Sequence, residues 1–401
     1  MTAPIDRNEA LASMEPMQLS ERSRHRSKLM DIAVELAAQS ASFRSSLPAG
    51  ISNALADLMR SMNCYYSNLI EGHDTHPIDI ERALQDDYSH NPEKRNLQLE
   101  AKAHINVQQW IDNGGLTGSV CSADSICAIH QRFCEQLPDD LLWITRQETG
   151  ENIGIAITPG EYRQHDVRVG RHTGISAGAI PRFLARFERA YSPLGKAETI
   201  MATAAAHHRL LWIHPFLDGN GRVARLLSYA MLLETLETGG LWSVARGLAR
   251  NEQAYKKHLA NCDLPRRNDL DGRGNLSEEA LADFTGFFLE TCLDQVQFML
   301  SRVQPERLHK NIFNWADEET QNGKLSPKAK RILEALLYRG TLPRNEIPAL
   351  LDTGERQARR IIVPLIEQGV IHSQSTKSPL QLAFPAKLAS RWMPGLFPDQ
   401  V

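Results

Sequence analysis

The sequence predicts a mainly α-helical protein with one short β-hairpin and a small helix-and-strand unit near its C-terminal end. Three observations predict this. Apolar residues recur at helical spacing along most of the chain, for example Leu29, Ile32, Ala33, Leu36 and Ala37, then Leu55, Leu58, Met59 and Met62. One interior stretch, Val167-Arg168-Val169-Gly170, alternates as a strand does, after the turn-like Thr158-Pro159-Gly160-Glu161-Tyr162-Arg163. Beyond about residue 325 the pattern changes to three short helices followed by two short strands.

Composition bounds the function classes. A chain of 401 residues with 42% hydrophobic and 23% charged residues is long enough for two or three globular domains. A formal charge of −3 gives no general pull toward nucleic acid, so any basic surface must be local. No apolar run approaches the ~20 residues that cross a bilayer, and Met1 to Arg26 lacks the apolar core of a signal peptide. Cys64, Cys121, Cys127, Cys134, Cys262 and Cys292 form no CxxC pair and have no metal-ligand spacing, so they are expected as reduced core thiols in the cytoplasm. The expected division is an N-terminal helical arm over 1–50, a core over 51–310 and a C-terminal unit over 311–401.

Taken in order, a helix over Ile51 to Ile70 runs into Ser67-Asn68-Leu69-Ile70-Glu71-Gly72, with Gly72 as its C-terminal cap. Glu71 is a carboxylate at the end of a helix where the dipole favours cations, so it is either solvated or close to a positive partner. One or two helices fill 79–113, and Ser125 to Gln136 and Pro181 to Tyr191 are others. Ile200 to Ile213 and Val223 to Leu236 are the two helices on either side of the central loop. His207 and His208 lie on the first of these; without HExxH spacing they are read as packed or solvated, not as metal ligands. A helix opens near Arg250, and its Tyr255 has a ring able to stack on a base or fill the core. Leu276 to Arg302 is a long helix closing the bundle.

The chemistry concentrates in His214-Pro215-Phe216-Leu217-Asp218-Gly219-Asn220-Gly221-Arg222-Val223-Ala224-Arg225. Two glycines let the backbone approach a ligand closely, and free N–H groups at a helix start favour an anion. Arg222 and Arg225 lie three apart on one helix face. His214 is a candidate base, Asp218 can bind a divalent cation, and Asn220 can donate to a phosphate oxygen. Seven fixed residues in His-Pro-Phe-x-x-Gly-Asn-Gly-Arg arise by chance at on the order of one in a billion positions, at ~1 in 20 per residue.

This segment resembles the signature of the Fic family, enzymes that transfer AMP or another phosphate-containing group onto protein hydroxyls. The resemblance covers roughly residues 50 to 265, with the family domain proper at about 120–265. It implies a Fic-type helical bundle with a β-hairpin flap, ATP as the substrate and Mg²⁺ at Asp218. It also implies that Gly219, Asn220, Gly221, Arg222 and Arg225 hold the phosphates while His214 acts as base. Gly160, Tyr162, Arg163, Val167, Val169 and Gly170 match the family's flap, which implies a target protein held there as an extended segment, with Val169 and Gly170 near the nucleotide. Ser67, Glu71 and Gly72 match a self-inhibitory Ser/Thr-x-x-x-Glu-Gly/Asn helix, which implies that Glu71 pairs with Arg225 and keeps ATP from seating productively. Many relatives carry two adjacent tyrosines near the adenine; here Lys256 follows Tyr255.

The sequence after residue 325 resembles a winged helix-turn-helix, with Arg356, Arg359 and Arg360 on the third helix. Glu346, Asp352, Glu355 and Glu367 dilute that basic surface, so docking or dimerisation is favoured over nucleic acid. The alternatives to a Glu71-restrained adenylyltransferase are an enzyme that also removes AMP and a DNA-binding regulator. A homodimer and self-modification are both compatible with the sequence, and no membrane partner is expected.

Overall fold

The structure is a computed structural model that describes residues 4–148, 151–170, 172–236, 238 and 240–398. After a 3-10 turn at Leu11–Met14 come α1 (Arg26–Ser45), α2 (Ala49–Ile70), α3 (Pro77–Leu84), α4 (Pro92–Asp112) and α5 (Ala123–Cys134). Two antiparallel hairpins follow, β1 (Trp143–Glu148) with β2 (Glu151–Ala156) and β3 (Arg168–Val169) with β4 (His172–Thr173). Next are α6 (Ile180–Tyr191), α7 (Lys196–Ile213), α8 (Asn220–Leu236), α9 (Val244–Arg250), α10 (Glu252–Cys262) and α11 (Glu278–Arg302). The last stretch holds α12 (Pro305–Gln321), α13 (Ala329–Arg339), β5 (Thr341–Leu342), α14 (Ile347–Leu350), α15 (Glu355–Glu367), β6 (Ile371–His372), β7 (Leu380–Leu382) and α16 (Ala386–Trp392).

Local sequence accounts for these limits. Asn91 caps α4 by accepting from the Lys94 N–H at 3.1 Å, with Pro92 in the first turn. Ser122 and Ser277 cap α5 and α11 in the same way. Along α7 nearly every side chain from Ile200 to Ile213 is buried, so this helix has no solvent face and forms the axis of the bundle. α8 packs antiparallel beside it, α11 crosses both α7 and α1, and α2 lies between α4 and α9. None of the described helices is long and apolar enough to cross a membrane.

The N-terminal segment runs back over the core. Asp6 pairs with Arg182, and Glu9 accepts from the Ser176 N–H and hydroxyl at 2.7 and 2.8 Å. The C-terminal elements surround the antiparallel sheet β5-β7-β6, in which Leu342 faces Leu380 and Ile371 faces Leu382. A division at 310/311 would cut through α12, whose Trp315 packs edge-on to Trp392 of α16 at 5.3 Å. α16 and the residues after it return to the bundle: Tyr66 of α2 donates to the Leu396 carbonyl at 3.0 Å, and the Phe397 ring meets Tyr65. The β1–β2 hairpin, α9, α12 and α16 are elements the sequence reading did not anticipate.

Candidate active site

α7 ends in a reversal. His214 sits at its C-terminus with φ 52° and ψ 63°, a left-handed conformation, and its N–H reaches the Leu210 carbonyl at 3.0 Å. Phe216 turns inward and stacks on His130 of α5, the rings 3.9 Å apart and nearly parallel. Gly219 takes a second left-handed turn, φ 77°, and α8 begins at the next residue. The N–H groups of its first turn have no acceptor within the helix, which makes this end a place for an anion.

Asn220 does something other than expected. Its amide oxygen accepts from the Phe216 N–H at 3.0 Å, and its amide nitrogen donates to the Phe216 carbonyl at 2.8 Å. The side chain therefore closes the loop, with its oxygen and one of its two amide N–H groups committed to Phe216. A loop this short leaves buried backbone groups at Phe216 that need partners, and Asn220 supplies both.

The two arginines are buried and held from opposite sides. Arg222 lies over the Phe133 ring at 4.7 Å, with the Glu100 carboxylate at 3.4 Å and the Asp218 carboxylate at 3.2 Å. Arg225 donates to the Ser67 hydroxyl at 2.8 Å and the Ser67 carbonyl at 3.2 Å, and it pairs with Glu71. The Glu71 carboxylate lies against the start of α8, where a β-carbon on Gly221 would collide with it. Burial raises the Glu71 pKa, but the adjacent Arg225 charge and hydrogen bond outweigh it and hold the carboxyl below its usual range. Gly72, at φ 86°, turns the chain away after α2.

His214, the candidate base, titrates well below an ordinary imidazole. Burial, then the nearby Arg163 charge, lowers its pKa to about 4, so the imidazole is neutral throughout the physiological range. Asp218 is the exposed member of the loop, its side chain 56% accessible. The hairpin of β3 and β4, with Val169 45% exposed and Gly170 at φ 60°, lies beside the end of α7. His172 ties this hairpin to the end of α7 through the Trp212 carbonyl at 2.8 Å.

Tyr255 does not line an open surface. It is 2% exposed, its hydroxyl is 2.7 Å from His207 Nε2, and its ring leans on Phe284. In this conformation it belongs to the core behind Arg225, because α10 presents this position to α7 and α11 instead of to solvent. His207 and His208 are likewise buried, bonded to Ser228 and to Asp263 respectively.

The structure thus gathers His214, Asp218, Gly219, Gly221, Arg222, Arg225, Ser67 and Glu71 at one helix tip and leaves Tyr255 inside. Sequence reasoning missed Glu100, which accepts from or pairs with both Arg222 and His73, and His130, which supports the loop from beneath. Neither carried a local signal; each is a polar residue on an otherwise ordinary amphipathic helix.

Residues 120–232 match the model of the Fic/DOC family. The chain is 38% identical over 79 residues to the protein adenylyltransferases Fic of Drosophila erecta and Drosophila melanogaster. That stretch is 19% of this chain and covers only 16% of the length of those relatives. Among solved structures, a Fic family protein from Desulfovibrio desulfuricans G20 superposes with a TM-score of 0.51 at 16% identity, covering 91% of this chain and 98% of that one. Residues 134–508 of Fic-1 from C. elegans give a TM-score of 0.50 at 14% identity, covering 69% and 73%. At these identities the solved structures speak to fold alone. The loop from His214 to Arg225 lies wholly inside the matched segment, so residues 120–232 form a domain that matches the Fic/DOC family.

Proposed function

We propose that the chain transfers AMP from ATP to Ser, Thr or Tyr hydroxyls of target proteins and is held back by Glu71. The observation that carries this reading is the pairing at the tip of α8: an anion-binding helix start and Arg225, both engaged by the carboxylate of Glu71. A carboxylate there stands where a phosphate group would be bound, so the two compete for one positive site.

In this reading Arg225 and Arg222 grip the outer phosphates, and the N–H groups of Gly219 to Gly221 cradle the inner ones. The target hydroxyl attacks the α-phosphorus in line, forming a new P–O bond as the bond to the β-phosphate oxygen breaks and pyrophosphate leaves. His214 accepts the hydroxyl proton; its neutral imidazole is in the required form before the reaction starts. An extended target segment pairs with the exposed edge at Val169 and Gly170. Asp218 fits a Mg²⁺ ion that arrives on nucleotide phosphates: it is an exposed carboxylate at the mouth, and no cluster of three His, Cys, Asp or Glu ligands occurs among the described residues. When bound, the ion would neutralise charge developing on the leaving pyrophosphate.

The test compares labelling by α-labelled ATP in the wild-type protein, Glu71→Gly and Glu71→Gly/His214→Ala. Loss of a charged hydrogen-bond partner from Arg225 is worth about 1.5–3 kcal/mol, so Glu71→Gly should label roughly 10- to 100-fold faster. The double variant should not label. Equal labelling in the wild type and Glu71→Gly would remove the inhibitory part of the reading.

We read α13, α14 and α15 with the β5-β7-β6 sheet as a winged helix-turn-helix used for docking. On α15 the exposed Arg356, Arg359 and Arg360 share the surface with Glu355, Glu367, Val363 and Ile366, a mixed face that suits protein better than a phosphate backbone. Retardation of duplex DNA by the wild-type protein but not by Arg359→Ala would contradict this.

A further inference from the structure

Arg163 is 1% exposed, and its hydrogen bonds among the described residues all go to backbone carbonyls. Nε donates to the His214 carbonyl at 2.7 Å, Nη1 to His165 at 2.8 Å and Nη2 to Ile175 at 2.6 Å. Its own N–H donates to the Pro215 carbonyl at 2.9 Å. These carbonyls belong to three separate pieces of chain: the central loop, the approach to β3 and the exit from β4. A buried guanidinium without a carboxylate hydrogen-bond partner is costly, and it is retained only where its planar fork satisfies several acceptors together.

The position of the bond to His214 matters. A non-glycine residue at φ 52° is in a strained conformation that persists only when its surroundings impose it. Arg163 grips the carbonyl of that residue, while the Arg163 N–H holds the next carbonyl in the chain. The remaining donors fix both ends of the β3–β4 hairpin to the same guanidinium. The imidazole and the surface that would present a target are thereby fastened to one rigid group.

We propose that Arg163 is a positioning residue that sets the distance between the His214 imidazole and the β3–β4 hairpin. This rests on the reading of His214 as the base. Among the described residues none of its hydrogen bonds reaches α8, so the KM for ATP serves as the control on its role. In the Glu71→Gly background, Arg163→Gln should lower kcat about 100-fold, the effect of roughly 1 Å of misplacement, with the KM for ATP near its parent value. Arg163→Lys keeps the charge but loses the fork, and should recover little of the rate; it carries the measurement if the Gln variant does not fold. Amide hydrogen exchange should quicken at 213–216 and at the hairpin on either side of Gly170, with α8 and α11 unchanged.

An unchanged kcat, a KM effect without a kcat effect, or full rescue by Lys would overturn the proposal, as would exchange that rises evenly through the bundle. If the Glu71→Gly parent transfers no AMP, the functional reading fails instead. The exchange pattern then decides by itself whether Arg163 couples the loop to the hairpin.

Discussion

His214 sits in the loop before α8 in a backbone conformation that L-residues avoid, so its fold and its proposed chemistry pull in different directions. His214→Gly relieves the left-handed strain while deleting the half-buried ring. Its unfolding free energy should stay within about 1 kcal/mol of the parent. The same variant, placed in the Glu71→Gly background, should lose transfer by about 10²- to 10⁴-fold, the usual contribution of a general base. Urea titration and labelling rates check the two halves separately; a collapse in stability would mean the ring is structural first. Ser67 gives the complementary case. Its hydroxyl orients Arg225 toward Glu71, so Ser67→Ala should raise labelling, but less than Glu71→Gly does.

α2 carries the clamp, and its far end is packed against the C-terminal elements. Gly50 lies so close to the Gly340 backbone that an added β-carbon would collide with it. Alanine is ordinarily the better helix former, yet Gly50→Ala should lose about 1–3 kcal/mol, because neither backbone can yield without moving a whole element. Thermal melts decide this, and a stabilised Gly50→Ala protein would place α2 and the β5-β7-β6 sheet farther apart than described. At this scale much was legible in the sequence. The stripe of Leu55, Leu58, Met59 and Met62 marks α2 by its period, and Gly72 marks its end. α16 was not legible, because its 7 residues bury only Leu388, Ala389 and Trp392, too few to set a helical period. The β1–β2 hairpin was hidden too: Thr145-Arg146-Gln147-Glu148 has the composition of a loop and none of the alternation of a half-buried strand. The central loop was readable as a set of residue types, but not the use of Asn220, whose partner Phe216 lies four residues back within the loop.

The bundle keeps four imidazoles out of water and half-buries a fifth, that of His214. Burial lowers His104 and His207 to about 3, and His130, His208 and His214 to about 4, from an ordinary value of 6.5. The unfolded chain takes up these protons below 6.5 and the folded one does not, so stability should fall as pH drops from 6.5 toward 4. Each group contributes up to about 1.4 kcal/mol per pH unit in that window. Carboxylates such as Glu71, whose pKa is lowered, contribute stability that is lost only below the ordinary 4.5, whereas burial raises Glu81 and Asp112, which oppose the imidazoles between pH 6.5 and 4.5. A flat stability across that range would contradict their neutral burial. The central claim is that an AMP group crosses from ATP to a protein hydroxyl at the tip of α8, and the position of the label tests it most directly. Glu71→Gly protein incubated in parallel with α-labelled and γ-labelled ATP should retain the α label, release the γ label as pyrophosphate, and retain neither when His214 is Ala. Retention of the γ label, or retention of the α label without His214, would contradict the account.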